Sequence, residues 1–261
     1  TLPSGDEMPQ VGFGTWNVEG STATESVRTA LEAGYTHVDT AEGYHNEEHV
    51  GAAIADADRE DVFLTSKVLP SNLHYEGVLE AAEASLERLG TDYLDLYLIH
   101  WPNPTISLRE TLSAFEVLHE EGLVRNVGVS NFSRYQLRFA QWVSDVPIAV
   151  NQVEFHPWLY QEDLLKYCQE NDVVLTAAAP LARTEAFEDP TILDLAEQYD
   201  KSPAQIALRW QMQKDVVTIP KSTTPEHIRD NLAVFDWELD PVDMARIDAI
   251  ETERKVYNID L

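Results

Sequence analysis

The sequence predicts an α/β fold of the (β/α)8 TIM-barrel class, a single domain over residues 1–261 with extra C-terminal helices. Three observations carry that expectation. Eight short β-branched or aliphatic runs recur at 12–15, 36–39, 62–67, 94–99, 126–130, 149–154, 173–177 and 216–220. Amphipathic helical patterns fill the intervals, and strand alternating with helix builds a parallel sheet. Asp39 and Lys67 close their runs and His100 directly follows its own. In a parallel barrel these carboxyl ends converge on one mouth, where catalytic side chains collect.

The helices follow from their periodicity and their stops. Residues 22–33 place Val27, Ala30 and Leu31 on one face before Gly34, which tolerates the left-handed conformation past a helix end. Residues 76–89 bury Val78, Ala82, Leu86 and Leu89 before Gly90. Residues 108–121 present Leu108, Leu112, Phe115 and Leu118 before Gly122. The interval 189–213 is long enough for two helices, divided near Lys201-Ser202-Pro203, because a Ser cap followed by Pro at the first helical position starts a new one. Past the eighth strand, 225–232 and 241–253 read as two further helices. There is no internal linker, tandem repeat or low-complexity tract.

At 261 residues and 44% hydrophobic, the chain can bury one large core. No run of about 18 uncharged apolar residues occurs, so no membrane span is expected. The first ten residues are polar and carry two acids, unlike a secretory leader. Cys168 is the only cysteine, which excludes an internal disulfide and fits a reducing cytoplasm, the expected location. The formal charge is −28, with 46 acids against 12 arginines and six lysines, spread along the chain. That sign excludes a duplex-binding surface, so no nucleic-acid partner is expected. Its magnitude and the lysine depletion read as a halophilic composition, in which concentrated salt screens the self-repulsion. An ordinary acidic protein is the plainer alternative. Surface acids weigh slightly toward a monomer; the oligomeric state is otherwise open.

Asp39, Tyr44, Lys67 and His100 bring an acid, a phenol, an ammonium and an imidazole to consecutive strand ends. Taken singly, each has a structural explanation: a cap, a snorkelling lysine, a satisfied core histidine. Together they suit carbonyl reduction, which needs a proton on oxygen as well as a hydride on carbon. A free phenol titrates near pH 10 and donates poorly at neutrality, so Lys67 is expected to lower the Tyr44 pKa, Asp39 to keep Lys67 charged, and neutral His100 to orient the substrate oxygen.

Gly34-Tyr-Thr-His-Val-Asp39-Thr-Ala-Glu-Gly-Tyr44-His-Asn-Glu47, Ser85-Leu-Glu-Arg-Leu-Gly90 with its continuation through His100-Trp101-Pro102, Val127-Gly-Val-Ser130-Asn131-Phe132, Asn151-Gln152-Val-Glu-Phe-His156-Pro157 and Ile219-Pro-Lys221-Ser222 resemble the aldo-keto reductase superfamily, in particular its small prokaryotic members. The resemblance runs in order over nearly the whole chain. It implies a nicotinamide-dependent reductase with Tyr44 as general acid supported by Asp39, Lys67 and His100. It further implies that Ser130, Asn131 and Gln152 hold the carboxamide. Gly12-Phe-Gly14 begins a dinucleotide fingerprint superficially, but Asn17 stands where its third glycine belongs.

Lys221, Ser222, Thr223 and Thr224 precede a helix start, a combination suited to the 2′-phosphate of NADPH. His227 stands where the family usually has an Arg, which makes NADH a credible second cofactor; Asp230 and Asn231 match positions that contact the adenine amine. Ala178 replaces the tyrosine that stacks on the nicotinamide in many members. The 182–190 segment and the tail after the last helix look short, which implies an open pocket. Trp16 and Trp101 match substrate-pocket walls, with His45 and Trp158 as weaker candidates. Aromatic walls suit small aldehydes, ketoaldehydes and the carbonyl end of sugars. With few positive groups expected nearby beyond Lys67, large anionic substrates are not favoured. Two alternatives stand beside the reductase: a non-catalytic, cofactor-sensing member of the same fold, and a metal-dependent hydrolase prompted by the i, i+4 pair His45 and His49. No carboxylate cluster of ligand spacing accompanies that pair, so no metal is expected.

Overall fold

The computed structural model describes residues 1–256. Eight parallel strands pair with one another in chain order: β1 (Phe13–Gly14), β2 (His37–Asp39), β3 (Phe63–Val68), β4 (Leu94–Ile99), β5 (Val124–Ser130), β6 (Ile148–Glu154), β7 (Val174–Ala178) and β8 (Val217–Thr218). The two edges of this curled sheet meet. Val11 bridges Thr218 in parallel, the Gly12 N–H donates to Thr218 O over 2.8 Å, and the Thr218 N–H donates to Gln10 O over 2.9 Å. β1 and β8 are shorter than their sequence runs. Pro220 has no N–H with which to extend the ladder, and it only accepts the Gly14 N–H at 3.1 Å.

Ten α-helices are found among the described residues: α1 (Gly20–Ala33), α2 (Glu47–Ile54), α3 (Tyr75–Leu89), α4 (Leu108–Glu120), α5 (Arg134–Val143), α6 (Glu162–Glu170), α7 (Pro190–Tyr199), α8 (Pro203–Met212), α9 (Pro225–Leu232) and α10 (Pro241–Asp248). Gly34 ends α1 at φ 104° and Gly90 ends α3 at φ 65°, the left-handed geometry expected of them. Ser202 caps α8 in a reciprocal box with Gln205, which divides the 189–213 interval where the Ser-Pro signal placed the break. α10 stops at Asp248 rather than 253. The chain beyond it crosses toward the mouth, where the Arg254 N–H donates to Trp158 O over 2.9 Å. None of these helices is long and apolar enough to cross a membrane.

The main core lies between sheet and helices and runs from Val11 to Ile247. A smaller one fills the barrel interior with Leu96, Leu98, Ala149 and Val150, and Leu2 with Met8 packs across its lower end. Each fully buried leucine of this kind contributes roughly 1.5–3 kcal/mol. The interior is tight enough to require Gly128, where a Cβ would come within 2.6 Å of Leu98 Cδ2 and 2.8 Å of Val150 O. A filled lower barrel leaves the carboxyl ends of the strands as the open face.

Candidate active site

At that open face β2 ends in Asp39, β3 delivers Lys67, and β4 runs into His100. Asp39 and Lys67 are fully enclosed. Lys67 Nζ donates to Asp39 Oδ1 over 2.5 Å, to Thr40 O over 2.8 Å and to the Tyr44 hydroxyl over 3.3 Å. The second Asp39 oxygen accepts Gln152 Nε2 at 2.7 Å. A buried lysine is tolerable only because its three donors are satisfied and its charge is paired.

Tyr44 sits in a short 3-10 turn, Glu42–Tyr44, pinned from both sides. Glu42 accepts the Leu69 N–H at 2.8 Å and Asn72 Nδ2 at 2.7 Å. Asn46 donates to Thr15 O over 2.8 Å and Val18 O over 2.9 Å while accepting the Thr40 hydroxyl at 2.8 Å. The Tyr44 ring meets His100 edge-on, with centroids 5.5 Å apart, and Lys67 Nζ lies 4.9 Å from its centre.

The electrostatics of these groups differ in one respect from the sequence expectation. Burial pushes the Tyr44 phenol well above its ordinary pKa, and the Asp39 charge adds to the rise. Lys67 was expected to pull it down. Burial outweighs it: the phenol is enclosed, and the ammonium 3.3 Å away is itself paired at 2.5 Å with Asp39, whose charge opposes ionisation. Lys67 itself is lowered by burial, opposed by Asp39 and Glu47. Burial, with Lys67 adding to it, lowers His100 to about 3, so the imidazole is neutral across the physiological range. The site therefore holds a protonated phenol beside a neutral imidazole and a carboxylate-bound ammonium.

Asp39, Tyr44 and His100 line a cavity of about 630 Å³, with Lys67 behind its wall. Ser130, Asn131 and Gln152 share it, as do Trp16, Trp101, Ala178 and Lys221. Ser130 donates to Gln152 O over 2.8 Å, and Asn131 Nδ2 donates to His100 O over 2.9 Å and to Ser130 Oγ over 3.0 Å, so the ends of β4, β5 and β6 are cross-tied. Ser222, Thr223, Thr224, His227, Asp230 and Asn231 stand apart from the cavity wall, around the start of α9 and along it. Of these Asn231 is buried and His227 exposed; the Ser222 hydroxyl accepts the Thr224 N–H at 3.1 Å. His45 is exposed and His49 half-buried on α2. Among the described residues no three of His, Cys, Asp or Glu gather as metal ligands.

Sequence reasoning missed several residues. Asn46 and Glu42 position Tyr44 through hydrogen bonds that no periodicity announces, although both lie inside the quoted Asp39–Glu47 motif. Arg183 and Thr184 line the cavity mouth from the loop after β7. The expectation of few positive groups near the pocket is therefore corrected: Arg183 and Lys221 are both on its wall. Nothing in the residue pattern of that loop announces that its backbone folds inward.

Comparison with known proteins gives a consistent picture. Residues 10–252 match the family profile described as Aldo/keto reductase family. An uncharacterized oxidoreductase, YtbE, of Bacillus subtilis (strain 168) is 44% identical over 98% of this chain and 94% of its own length. Glyoxal reductase of the same organism is 44% identical over 98% of this chain and 93% of its own. The crystal structure of MGS-M4, an aldo-keto reductase enzyme from a Medee basin deep-sea metagenome library, superposes with a TM-score of 0.96 at 42% identity, over 100% of this chain and 99% of that one.

Proposed function

This chain belongs to the aldo/keto reductase family and reduces carbonyl compounds, and we propose that it does so with NADPH as hydride donor and Tyr44 as proton donor. The observation that carries the reading is the enclosed chain Gln152–Asp39–Lys67–Tyr44, linked over 2.7, 2.5 and 3.3 Å beside a neutral imidazole. The cavity fits a dinucleotide's reactive end in its donor chemistry. Gln152 directs its amide N–H to Asp39, which leaves its carbonyl oxygen as an acceptor for a carboxamide, with Ser130 and Asn131 beside it. Lys221 supplies a cation on the same wall for the 2′-phosphate, with Ser222, Thr223, Thr224 and His227 following, and Asp230 and Asn231 for the adenine.

When bound, the reduced nicotinamide supplies the hydride that adds to the carbonyl carbon. Tyr44 holds its proton at the hydroxyl, because burial and Asp39 oppose its ionisation, and releases it to the substrate oxygen as negative charge develops there. Lys67 stabilises the phenolate left behind, and solvent returns the proton. Asp39 keeps Lys67 charged against the burial that favours its neutral form. His100, neutral, retains one N–H for the substrate oxygen. A positioned proton donor of this kind contributes roughly 10²–10⁴-fold.

Small aldehydes and ketoaldehydes fit a pocket walled by Trp16, Trp101 and Leu69, and glyoxal is what the Bacillus subtilis relative is named for. We read the chain as one (β/α)8 domain, since its main core is continuous from Val11 to Ile247. We also read it as a cytoplasmic protein adapted to concentrated salt, on the strength of the −28 charge. The cofactor reading is tested by initial rates of methylglyoxal reduction with NADPH and NADH. Lys221→Met should raise the KM for NADPH about tenfold or more, the worth of one charge-assisted contact, and leave NADH much less affected. Equal effects on both cofactors would remove the phosphate assignment.

A further inference from the structure

We propose that Arg183 recognises a carboxylate on the substrate, so that this site favours carbonyl compounds bearing an acid group; the proposal rests on the reductase reading above and names its substrate class. Arg183 stands at the mouth of the cavity that Tyr44 and His100 line. Its guanidinium lies over the Trp16 ring, 4.8 Å from the centre, and among the described residues it makes no hydrogen bond or ion pair. Its charge is thus met by no carboxylate of this chain among the described residues, although it lies on the wall of the cavity. The adjacent acid is taken: Glu185 pairs with Arg254 at 2.8 Å. Within the cavity the one carboxylate, Asp39, is already held by Lys67 and Gln152.

The backbone that presents Arg183 is strained. Ala179, Ala182, Arg183 and Thr184 have φ of 46°, 48°, 50° and 71°, a left-handed conformation that residues with a Cβ rarely adopt. Strain of this kind persists where the surrounding structure enforces it, and it clusters at ligand sites. Here it turns the loop so that a planar, five-donor fork lies against an indole face at the pocket entrance. Such a fork matches a carboxylate in two parallel hydrogen bonds, and the contact with Trp16 holds it at the pocket entrance. Lys221 also lines this cavity and serves the cofactor's phosphate in the reading above. Arg183 is stacked instead on Trp16, a wall of the aldehyde end.

The test compares 4-carboxybenzaldehyde with its neutral methyl ester in wild type, Arg183→Gln and Arg183→Lys, by kcat/KM, with the KM for NADPH measured alongside. Wild type should prefer the acid, and Arg183→Gln should lower the acid-to-ester ratio about tenfold or more, through KM. Arg183→Lys should restore part of it, because a point charge lacks the two-pronged fit. An unchanged ratio with a raised KM for NADPH would overturn the proposal and assign the guanidinium to cofactor phosphate. An unchanged ratio with no effect on NADPH would overturn it and leave Arg183 as packing for Trp16. Binding of 4-carboxybenzyl alcohol, read by tryptophan fluorescence, separates this proposal from the one beneath it. Arg183-dependent binding without turnover of either aldehyde would support the carboxylate site while removing the reductase reading.

Discussion

Lys67 Nζ stands 2.5 Å from Asp39 Oδ1, a pair sealed from solvent at the end of the barrel interior. Removing the ammonium leaves a buried carboxylate with only Gln152 to answer it. Lys67→Met is therefore expected to lower the free energy of unfolding by about 3–5 kcal/mol, as for other broken buried pairs. Urea unfolding at neutral pH measures it; a loss within experimental error of zero would mean that water reaches Asp39 readily.

Ala178 closes β7 on the cavity wall, at the position where the family resemblance implies a stacking tyrosine. An aromatic stack contributes about 0.5–1.5 kcal/mol beyond burial, so Ala178→Tyr should tighten cofactor binding up to roughly tenfold. Fluorescence titration with NADPH reads this directly. Unchanged or weaker binding would show that Trp16, Arg183 or Ile219 already fills the space.

His37 makes a pH prediction independent of catalysis. It lies on β2, enclosed, with Nε2 3.2 Å from the Thr65 hydroxyl, and burial lowers its pKa from 6.5 to about 4. Between those values the unfolded chain binds the proton that the folded chain refuses. The stabilising contribution of neutral His37 is thus fully present above pH 6.5, falls as pH drops, and is exhausted below about 4. The maximal slope is about 1.4 kcal/mol per pH unit. The stability gap between wild type and His37→Gln, by urea unfolding, should narrow as pH falls from 6.5 to 4. A constant gap would mean that His37 titrates alike in both states.

Much of this was legible in the sequence, for physical reasons that differ by region. Gly34, Gly90 and the Ser202-Pro203 pair marked helix ends because their backbone chemistry is local. Asp39, Lys67 and His100 were legible because strand ends in a parallel barrel must converge. The direction of the Tyr44 pKa was not, since it is set first by how deeply the tertiary fold encloses the phenol and then by the Asp39 charge, neither of which a local motif announces. Arg183 was missed because a run of left-handed non-glycine residues leaves no compositional mark. The ends of β1 and β8 were not legible, because the ladder stops where Pro220 lacks an N–H, and that depends on which strand lies beside it.

The acidic surface predicts a salt dependence. Raising ionic strength from about 0.1 M to 1 M shortens the screening length from about 10 Å to 3 Å, so repulsion among exposed carboxylates fades while the enclosed pairs keep their strength. The melting temperature should rise steeply with KCl, and dialysis into dilute buffer should unfold the chain or inactivate it. Full activity and an unchanged melting temperature after dialysis would remove the salt-adaptation reading.

The most direct test of the central claim is the initial rate of methylglyoxal reduction by Tyr44→Phe with saturating NADPH in molar KCl, beside a circular dichroism spectrum of the same sample. A folded variant slowed by about 10²–10⁴-fold is the predicted result, because the phenylalanine keeps the ring against His100 and removes only the proton. A folded variant within a few-fold of wild type would contradict it and pass the proton donor's role to His100.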